Sequence, residues 1–215
     1  MQLFIKIIYS EVRIMPSKFR VRGLFRSVVI AIARPLVSRN IHPNTVTYFT
    51  LLLSLIAFLT LQVTYWQPLF AFLVFLVGLF DGVDGAVARL GSRKSHSGGF
   101  IDSVVDKVAE MLILFAILLT YSSETILSLS VPAWSFLCLF GWLLTSYTRS
   151  RAESVGVRDL DVGLGGRSER LLTLVIFSLV GFLLWGLVLV TIMGVFTAAY
   201  RYYHYQQELL EPNTE

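Results

Sequence analysis

The chain has 215 residues, of which 55% are hydrophobic and only 15% are charged, and its mean hydropathy is +0.71. Soluble globular proteins carry about a quarter charged residues, so this composition excludes an ordinary soluble domain. The apolar stretches suffice for five or six transmembrane helices of roughly 20 residues each. We therefore predict an all-α integral membrane protein with one compact membrane domain. The single cysteine, Cys138, lies in an apolar run and is expected to be buried.

The N-terminal segment, residues 1–43, is predicted to be cytoplasmic and interfacial. Its first apolar stretch is too short and too poorly flanked for a cleaved signal peptide, and Met15 is an alternative start. Residues 16–43 alternate basic with apolar side chains, a pattern typical of an amphipathic helix at the membrane surface. The alternative is an ordinary solvated basic tail. Pro43, within residues 40–44, should end this helix before the first span.

Six transmembrane helices are predicted within a membrane domain of residues 44–205, followed by a cytoplasmic tail of residues 206–215. Their predicted bounds are 45–64, 68–90, 99–120, 131–152, 170–185 and 187–205. The last two are the least distinct, because residues 171–203 are almost continuously apolar and only Trp185–Gly186 suggests a turn. One long helix over this stretch is the alternative.

The placement of basic residues favours six spans with both termini in the cytoplasm. The external loops would then fall near residues 65–67, 121–130 and 185–187, and none of these contains Lys or Arg. Cytoplasmic loops are normally enriched in these residues. A single helix over 171–203 would instead put Arg201 outside. We expect a multi-pass protein of the cell membrane whose active site faces the cytoplasm.

Four acids stand inside the predicted spans, where charge is costly and usually marks a functional site. Asp81 and Asp84 come late in the second span, and Asp102 and Asp106 come early in the third. Spacings of three and four residues place each pair on one face of its helix. The two helices are consecutive and antiparallel, joined by a cytoplasmic loop at 89–98. All four carboxylates should therefore converge near the inner membrane surface.

Clustered carboxylates repel one another unless a cation neutralises them. Oxygen ligands suit hard cations such as magnesium, manganese or calcium. Two divalent ions would balance four acids, in an arrangement that fits phosphate chemistry. Basic residues of the same loop would hold phosphate oxygens: Arg89, Arg93 and Lys94. The alternative is that the acids form plain ion pairs with Lys107, Arg89 and Arg93.

Residues 81–106 carry a highly specific pattern. They read D-G-V-D-G-A-V-A-R-L-G-S-R-K-S-H-S-G-G-F-I-D-S-V-V-D. This resembles the signature of the CDP-alcohol phosphatidyltransferase family, D-x-x-D-G-x-x-A-R-(x)8-G-x-x-x-D-x-x-x-D. Every fixed position is met, at Asp81, Asp84, Gly85, Ala88, Arg89, Gly98, Asp102 and Asp106. The family's Pro-Asn at the head of the first span is matched by Pro43-Asn44.

The resemblance implies a role for each matching residue. The four aspartates would hold one or two magnesium ions, or manganese, and Asp106 would also take the proton from the acceptor hydroxyl. The CDP-lipid donor would be bound by Asn44, Thr47, Gly85, Ala88 and Arg89. The hydroxyl would attack the β-phosphorus in line, and CMP would leave.

A second resemblance concerns the acceptor. Residues 146–156, S-Y-T-R-S-R-A-E-S-V-G, and 165–171, G-G-R-S-E-R-L, are similar to segments of synthases that use inositol 1-phosphate. Ser150 and Gly166 depart from that pattern without removing a cation. The acceptor phosphate would be bound by Arg149, Arg167, Arg170 and Arg201, since guanidinium groups suit a dianionic phosphate. The alternative is that these arginines only follow the positive-inside rule.

Other functions stay open at this point. Another member of the family, such as a phosphatidylglycerophosphate synthase or a synthase of inositol-based solutes, would share the aspartates. A divalent-cation transporter is a remote alternative, because its acids would lie near the membrane midplane. The resemblance implies a homodimer in contact with membrane lipids, and we expect no nucleic acid partner. Apolar side chains accept ester-linked or ether-linked lipid tails equally.

Overall fold

The described part of the chain is built almost entirely from α-helices. A computed structural model describes residues 21–160, 162–163 and 165–210, with the side chains of residues 21 and 22 left out. Its helices are α1 (Val21–Leu24), α2 (Arg26–Ser38), α3 (Pro43–Thr64), α4 (Gln67–Leu90), α5 (His96–Thr120), α6 (Val131–Ser154), α7 (Arg167–Leu179) and α8 (Leu183–Leu210). Two short antiparallel strands, β1 (Thr125–Ile126) and β2 (Leu129–Ser130), form a hairpin before α6. Met15, residues 16–20 of the amphipathic segment and residues 211–215 of the tail lie outside the described residues.

Local sequence explains where the helices begin. His42 precedes α3, and its Nδ1 accepts a hydrogen bond from the backbone N–H of Asn44 at 3.2 Å, while Pro43 takes the first helical position. Ser95 caps α5 through its Oγ, which accepts from the N–H of Gly98 at 3.0 Å. The predicted break at residues 40–44 is confirmed, because α2 ends at Ser38 and α3 begins at Pro43.

The turn between the last two helices lies five residues earlier than predicted. Helix α7 ends at Leu179, and Gly181 adopts a left-handed conformation with φ of 80°, which a glycine adopts without steric cost. The prediction of a turn at 185–187 was wrong because Gly186 is a packing residue within α8. A Cβ on Gly186 would lie 2.7 Å from Cβ of Phe177. One continuous helix over 171–203 is excluded.

Helix packing brings distant parts of the chain to one end of the bundle. Helix α3 packs against both α4 and α5, while α4 also packs against α2 and α7, and α6 packs along α8. On helix α2, Val29, Ile32 and Ala33 pack toward α4, whereas Arg26 and Arg34 are exposed. That residues 16–43 form an amphipathic helix at the membrane interface stays a prediction. Cys138 is buried in the main core, as expected.

Helices α6 and α8 approach closely because glycines face each other across the contact. A Cβ on Gly141 would lie 2.9 Å from the backbone nitrogen of Val195, and one on Gly194 would lie 2.8 Å from the Trp142 ring. Small residues permit such approach between helices in a membrane, where packing replaces the hydrophobic effect as the driving force.

Within the part of the chain that the structure describes, three helices are by length and composition apolar enough to cross a membrane: α3, α4 and α8. Helix α7, with 13 residues, is about 20 Å long, which is shorter than the hydrocarbon core of a bilayer. The described residues thus support a mostly helical membrane protein.

The α6–α8 contact gives a first prediction. Gly141→Ala should destabilise the protein by about 1–3 kcal/mol, because rigid backbone atoms of α8 fill the space that the new methyl group needs. Thermal unfolding of the detergent-solubilised protein measures this. Gly23→Ala is the matched control, since a Cβ there has no atom within 4 Å among the described residues. Equal unfolding temperatures for the two variants would contradict the tight contact.

Candidate active site

Three carboxylates converge at one end of the bundle. Asp81 comes from α4, and Asp102 and Asp106 come from successive turns of α5. One oxygen of each lies within 4.8 Å of the other two. The three residues are half-buried. The predicted convergence of two helix faces is therefore present for Asp81, Asp102 and Asp106.

We call Asp81, Asp102 and Asp106 the acidic trio; the fourth predicted acid, Asp84, is not a member of this cluster. It is only 4% exposed. Its Oδ2 accepts a hydrogen bond from Oγ1 of Thr47 at 2.8 Å, and its Oδ1 accepts from the N–H of Gly85 at 2.5 Å. Asp84 thus ties α4 to α3, and that it also ligates a metal stays a prediction.

Arg167, the first residue of α7, reaches into the acidic trio. Its Nη1 is ion-paired with Asp81 and lies 2.5 Å from Oδ1 of Asp106. From the sequence, Arg167 was predicted to bind the acceptor phosphate. The structure brings it to two of the predicted metal ligands, so it lies between the two predicted subsites.

Glu110 is a further buried carboxylate that was not among the residues predicted from the sequence. It follows Asp102 and Asp106 at the same spacing of four residues along α5, and it is 1% exposed. Its Oε1 lies 3.2 Å from Nε of Arg167 and 3.6 Å from Nη2 of Arg170. Its Oε2 pairs with Lys107 Nζ at 2.7 Å. The continued spacing of acids inside a span was the signal that could have revealed it.

Arg170 is buried beside this carboxylate. Its guanidinium carbon lies 4.6 Å from the centre of the Trp142 ring, a cation–π contact, and the residue is 1% exposed. Its Nε and Nη1, like Nη2 of Arg167, have no hydrogen-bond acceptor within the described ranges 21–160, 162–163 and 165–210. Buried donors without a partner are rare, and these suit a phosphate.

The predicted nucleotide residues lie where α3 begins and α4 ends. Thr47 is buried against Asp84, and Ala88 and Arg89 occupy the last turn of α4. Glycines make room for two of the polar side chains. A Cβ on Gly98 would lie 3.5 Å from Oδ1 of Asn44, and one on Gly85 would lie 3.2 Å from Nη1 of Arg89.

Arg201 is largely engaged by the backbone. Its Nη1 donates to the carbonyl of Thr145 at 2.7 Å, and its Nε donates to that of Val162 at 3.0 Å. Arg149 lies half-buried one turn beyond Thr145 on α6. Arg201 therefore connects α8 to α6 and to the loop that leads into α7.

That loop is attached along one face of α8. At the start of the loop, the N–H of Arg158 donates to Glu208 at 2.7 Å, and the carbonyl of Leu160 accepts from the Tyr205 hydroxyl at 2.9 Å. Near α7, the N–H of Gly165 donates to Oγ1 of Thr197 at 3.0 Å. These bonds fix the chain immediately before Arg167, which sets where its guanidinium enters the site.

The acidic trio and the guanidinium groups together define a class of site. Three carboxylate oxygens within 4.8 Å suit a hard divalent cation such as magnesium or manganese. Buried arginine donors next to them suit phosphate groups. A membrane helical bundle with this combination is typical of metal-dependent enzymes that handle phosphate esters.

Comparison with known proteins gives the family. A profile described as CDP-alcohol phosphatidyltransferase matches residues 40–201. The chain belongs to the CDP-alcohol phosphatidyltransferase family, and the predicted enzyme class is confirmed. It is 32% identical over 193 residues to the archaetidylinositol phosphate synthase of Pyrococcus horikoshii, which covers 88% of this chain and 97% of the relative. It is also 32% identical over 154 residues to the phosphatidylinositol phosphate synthase of Mycobacteroides abscessus, which covers 70% and 68%.

The fold is similar to that of the phosphatidylinositol phosphate synthase of Mycobacterium tuberculosis. The structure of that protein with CDP-DAG bound superposes with a TM-score of 0.68 at 25% identity, covering 87% of this chain and 96% of the other. Another structure of the same mycobacterial protein is in complex with manganese and citrate.

The acidic trio gives a second prediction. Asp81→Asn should weaken Mn²⁺ binding by at least about tenfold, a loss that even second-layer substitutions cause at metal sites. Titration of the purified protein with Mn²⁺, following free ion by electron paramagnetic resonance, measures this without substrates. Glu124→Gln, an exposed carboxylate outside the trio in the loop before β1, should bind Mn²⁺ like the wild type. Equal affinities for both variants would refute the assignment of Asp81.

Proposed function

We propose that this chain transfers a phosphatidyl-type group from a membrane CDP-lipid to inositol 1-phosphate, in a magnesium-dependent reaction that releases CMP. The observation that carries the proposal is the pairing of an acidic trio with two buried guanidinium groups that hold unused donors. A cation site suits the diphosphate of the donor, and the arginine donors suit an acceptor that carries its own phosphate. The names of the relatives from Pyrococcus and Mycobacteroides support the same acceptor.

An apolar groove beside the trio supports a lipid donor over a water-soluble one. Asp81 is among the residues that line it. Helices α4 and α7 and the segment around Phe25 line it, through Phe25, Val29, Val74, Phe75, Gly78, Leu171 and Val175. The hydrocarbon tails of a membrane lipid can pack against such an apolar lining through dispersion contacts. The mycobacterial relative, whose structure contains CDP-DAG, supports this donor class.

The proposed chemistry is one in-line displacement. The acceptor hydroxyl attacks the β-phosphorus of the CDP-lipid, a new phosphodiester bond forms, and the bond to the CMP oxygen breaks. Asp106 accepts the hydroxyl proton, as general-base catalysis requires. A divalent cation bound by the aspartates Asp81, Asp84, Asp102 and Asp106 would neutralise charge on the diphosphate and on the leaving CMP.

We assign substrate binding to two groups of residues around this centre. The cytidine diphosphate contacts α3 and the end of α4, through Asn44, Thr47, Gly85, Ala88 and Arg89. The acceptor phosphate contacts Arg149, Arg167, Arg170 and Arg201. Their support is the matching motif, together with the burial of Arg170 and Arg201 near the same end of the bundle.

We further propose that α3 to α8 all belong to a six-span domain of the plasma membrane, residues 44–205, with its active site at the cytoplasmic face. The support is the absence of Lys and Arg from the connections that would lie outside, residues 65–66, 121–130 and 180–182. The segment 1–43 would lie at the interface, because α2 exposes basic residues, and residues 206–215 would form a cytoplasmic tail. A homodimer is proposed from the family resemblance.

The acceptor assignment gives a third prediction. Purified protein with Mg²⁺ and a CDP-lipid should release CMP with inositol 1-phosphate, and not with free inositol, glycerol 3-phosphate or serine. Chelation of the metal should abolish release. CMP release is quantified by chromatography, with CDP-diacylglycerol and CDP-archaeol tested as donors in parallel. Turnover with another acceptor alone would refute the proposed acceptor while leaving the family reaction intact.

The base assignment gives a fourth prediction. Asp106→Asn should lower kcat by about 100-fold or more, because the amide cannot accept the proton. CDP-lipid binding, measured by calorimetry in detergent, should stay detectable, because the proposed nucleotide contacts come from α3 and α4. A variant with full turnover would sink the assignment.

A further inference from the structure

Glu110 is the most deeply buried carboxylate of the site, and the metal assignment does not use it. It is surrounded by three cations. Oε1 faces Arg167 at 3.2 Å and Arg170 at 3.6 Å, and Oε2 pairs with Lys107 at 2.7 Å. One carboxylate therefore contacts two guanidinium groups that both come from α7.

The two arginines depend on Glu110 to different degrees. Arg167 also pairs with Asp81 and Asp106, so it keeps two acidic partners if Glu110 is neutralised. For Arg170, Glu110 is the carboxylate within salt-bridge distance in the described part of the chain. Arg170 is 1% exposed, and a buried charge that loses its partner is strongly destabilised where it lies.

Glu110 also fixes how the Arg170 guanidinium is oriented. Its Nη2 faces Glu110, and its flat face lies over Trp142, whose Nε1 in turn donates to the carbonyl of Val190 at 3.3 Å. A planar guanidinium with a carboxylate 3.6 Å from one nitrogen and an aromatic ring over one face is restricted in its rotation. The remaining nitrogens, Nε and Nη1, are the buried donors without an acceptor among the described residues.

We propose that Glu110 is a positioning residue that orients Arg170 for the phosphate of the acceptor. This inference rests on the proposed function, because it assumes a phosphorylated acceptor. In the proposed scheme Glu110 contacts neither substrate and acts through Arg170. The competing explanation is that Glu110 merely balances the buried positive charge of α7.

Two substitutions separate orientation from charge balance. Glu110→Gln keeps the length of the side chain and removes its charge. Glu110→Asp keeps the charge and shortens the reach toward Arg170, whose present distance of 3.6 Å leaves no slack. Charge balance predicts normal behaviour for Glu110→Asp, whereas positioning predicts a defect in both variants. Glu110→Asp also keeps the inference testable if Glu110→Gln does not fold.

The experiment measures initial rates with purified protein in lipid nanodiscs, varying inositol 1-phosphate and CDP-lipid separately. Both Glu110 variants should raise the KM for inositol 1-phosphate by about tenfold. This is the size expected when a charged hydrogen bond from Arg170 to the acceptor phosphate is lost. The KM for CDP-lipid should change less than about twofold, because the proposed nucleotide contacts come from α3 and the end of α4. Lys107→Met is the matched control: it removes the partner of Oε2 and leaves both arginine contacts in place.

A double-mutant cycle supplies the readout that a purely structural role would not move. Arg170→Gln alone should raise the acceptor KM, and adding Glu110→Gln should raise it no further, because the residue on which Glu110 acts is already gone. Additive effects would overturn the inference, as would a wild-type KM in Glu110→Asp. A rise in KM confined to CDP-lipid would overturn it too.

The inference and the proposed function fail in different ways. Wild-type turnover with glycerol 3-phosphate alone refutes inositol 1-phosphate as the acceptor. The KM of each Glu110 variant is then compared with that of the wild type using glycerol 3-phosphate. Normal use of inositol 1-phosphate by every Glu110 variant refutes the role of Glu110 and leaves the proposed function intact. Wild-type turnover with unphosphorylated alcohols alone refutes both.

Discussion

Charges buried between membrane helices need partners, and this requirement organises one whole end of the molecule. Helices α4 and α5 bring the acids, and α7 brings the cations that face them. Ionised side chains are costly in a hydrocarbon environment, so neither set is stable there alone. The ion pairs of Arg167 and Arg170 with Glu110 thus link α7 to α5 at the place where the substrates are expected to react.

The position of α7 is fixed a second time, from the side of α8. Thr197, Arg201 and Tyr205 lie at intervals of four residues and therefore share one face of that helix. Each of them binds the backbone of the loop that leads into α7. The close approach of α6 and α8 at Gly141 and Gly194 fixes the position of α8 relative to α6. An arginine site formed by α6, α7 and α8 is consequently as dependent on helix packing as on charge.

Sequence alone predicted the aspartates well, because spacing on a helix maps directly onto a face. Asp81, Asp102 and Asp106 meet as the spacing required, and the break at Pro43 lies where proline chemistry predicts it. Asp84 shares the face of Asp81, but its oxygens bind Thr47 and Gly85, a contact that depends on the position of α3. Spacing cannot reveal such a contact.

The remaining differences also have physical causes. Glu110 was missed because the arginines that it contacts, Arg167 and Arg170, belong to α7, which is distant in sequence. The last turn was misplaced because Gly181 and Gly186 look alike in a hydropathy profile, and only the backbone shows that one reverses the chain while the other admits Phe177. Two nitrogens of Arg201 bind backbone carbonyls, contacts that its place in the sequence does not reveal, and its role toward the acceptor phosphate stays a prediction.

The apolar groove that Asp81 helps to line has a consequence for how the substrates reach the site. A lipid that lies along α4 and α7 with its headgroup at the trio does not have to leave the leaflet to react. Donor and lipid product exchange by lateral diffusion in two dimensions, whereas the acceptor and CMP exchange with water. Turnover then depends on the surface density of the donor in the bilayer, expressed as a mole fraction, and not on its bulk concentration.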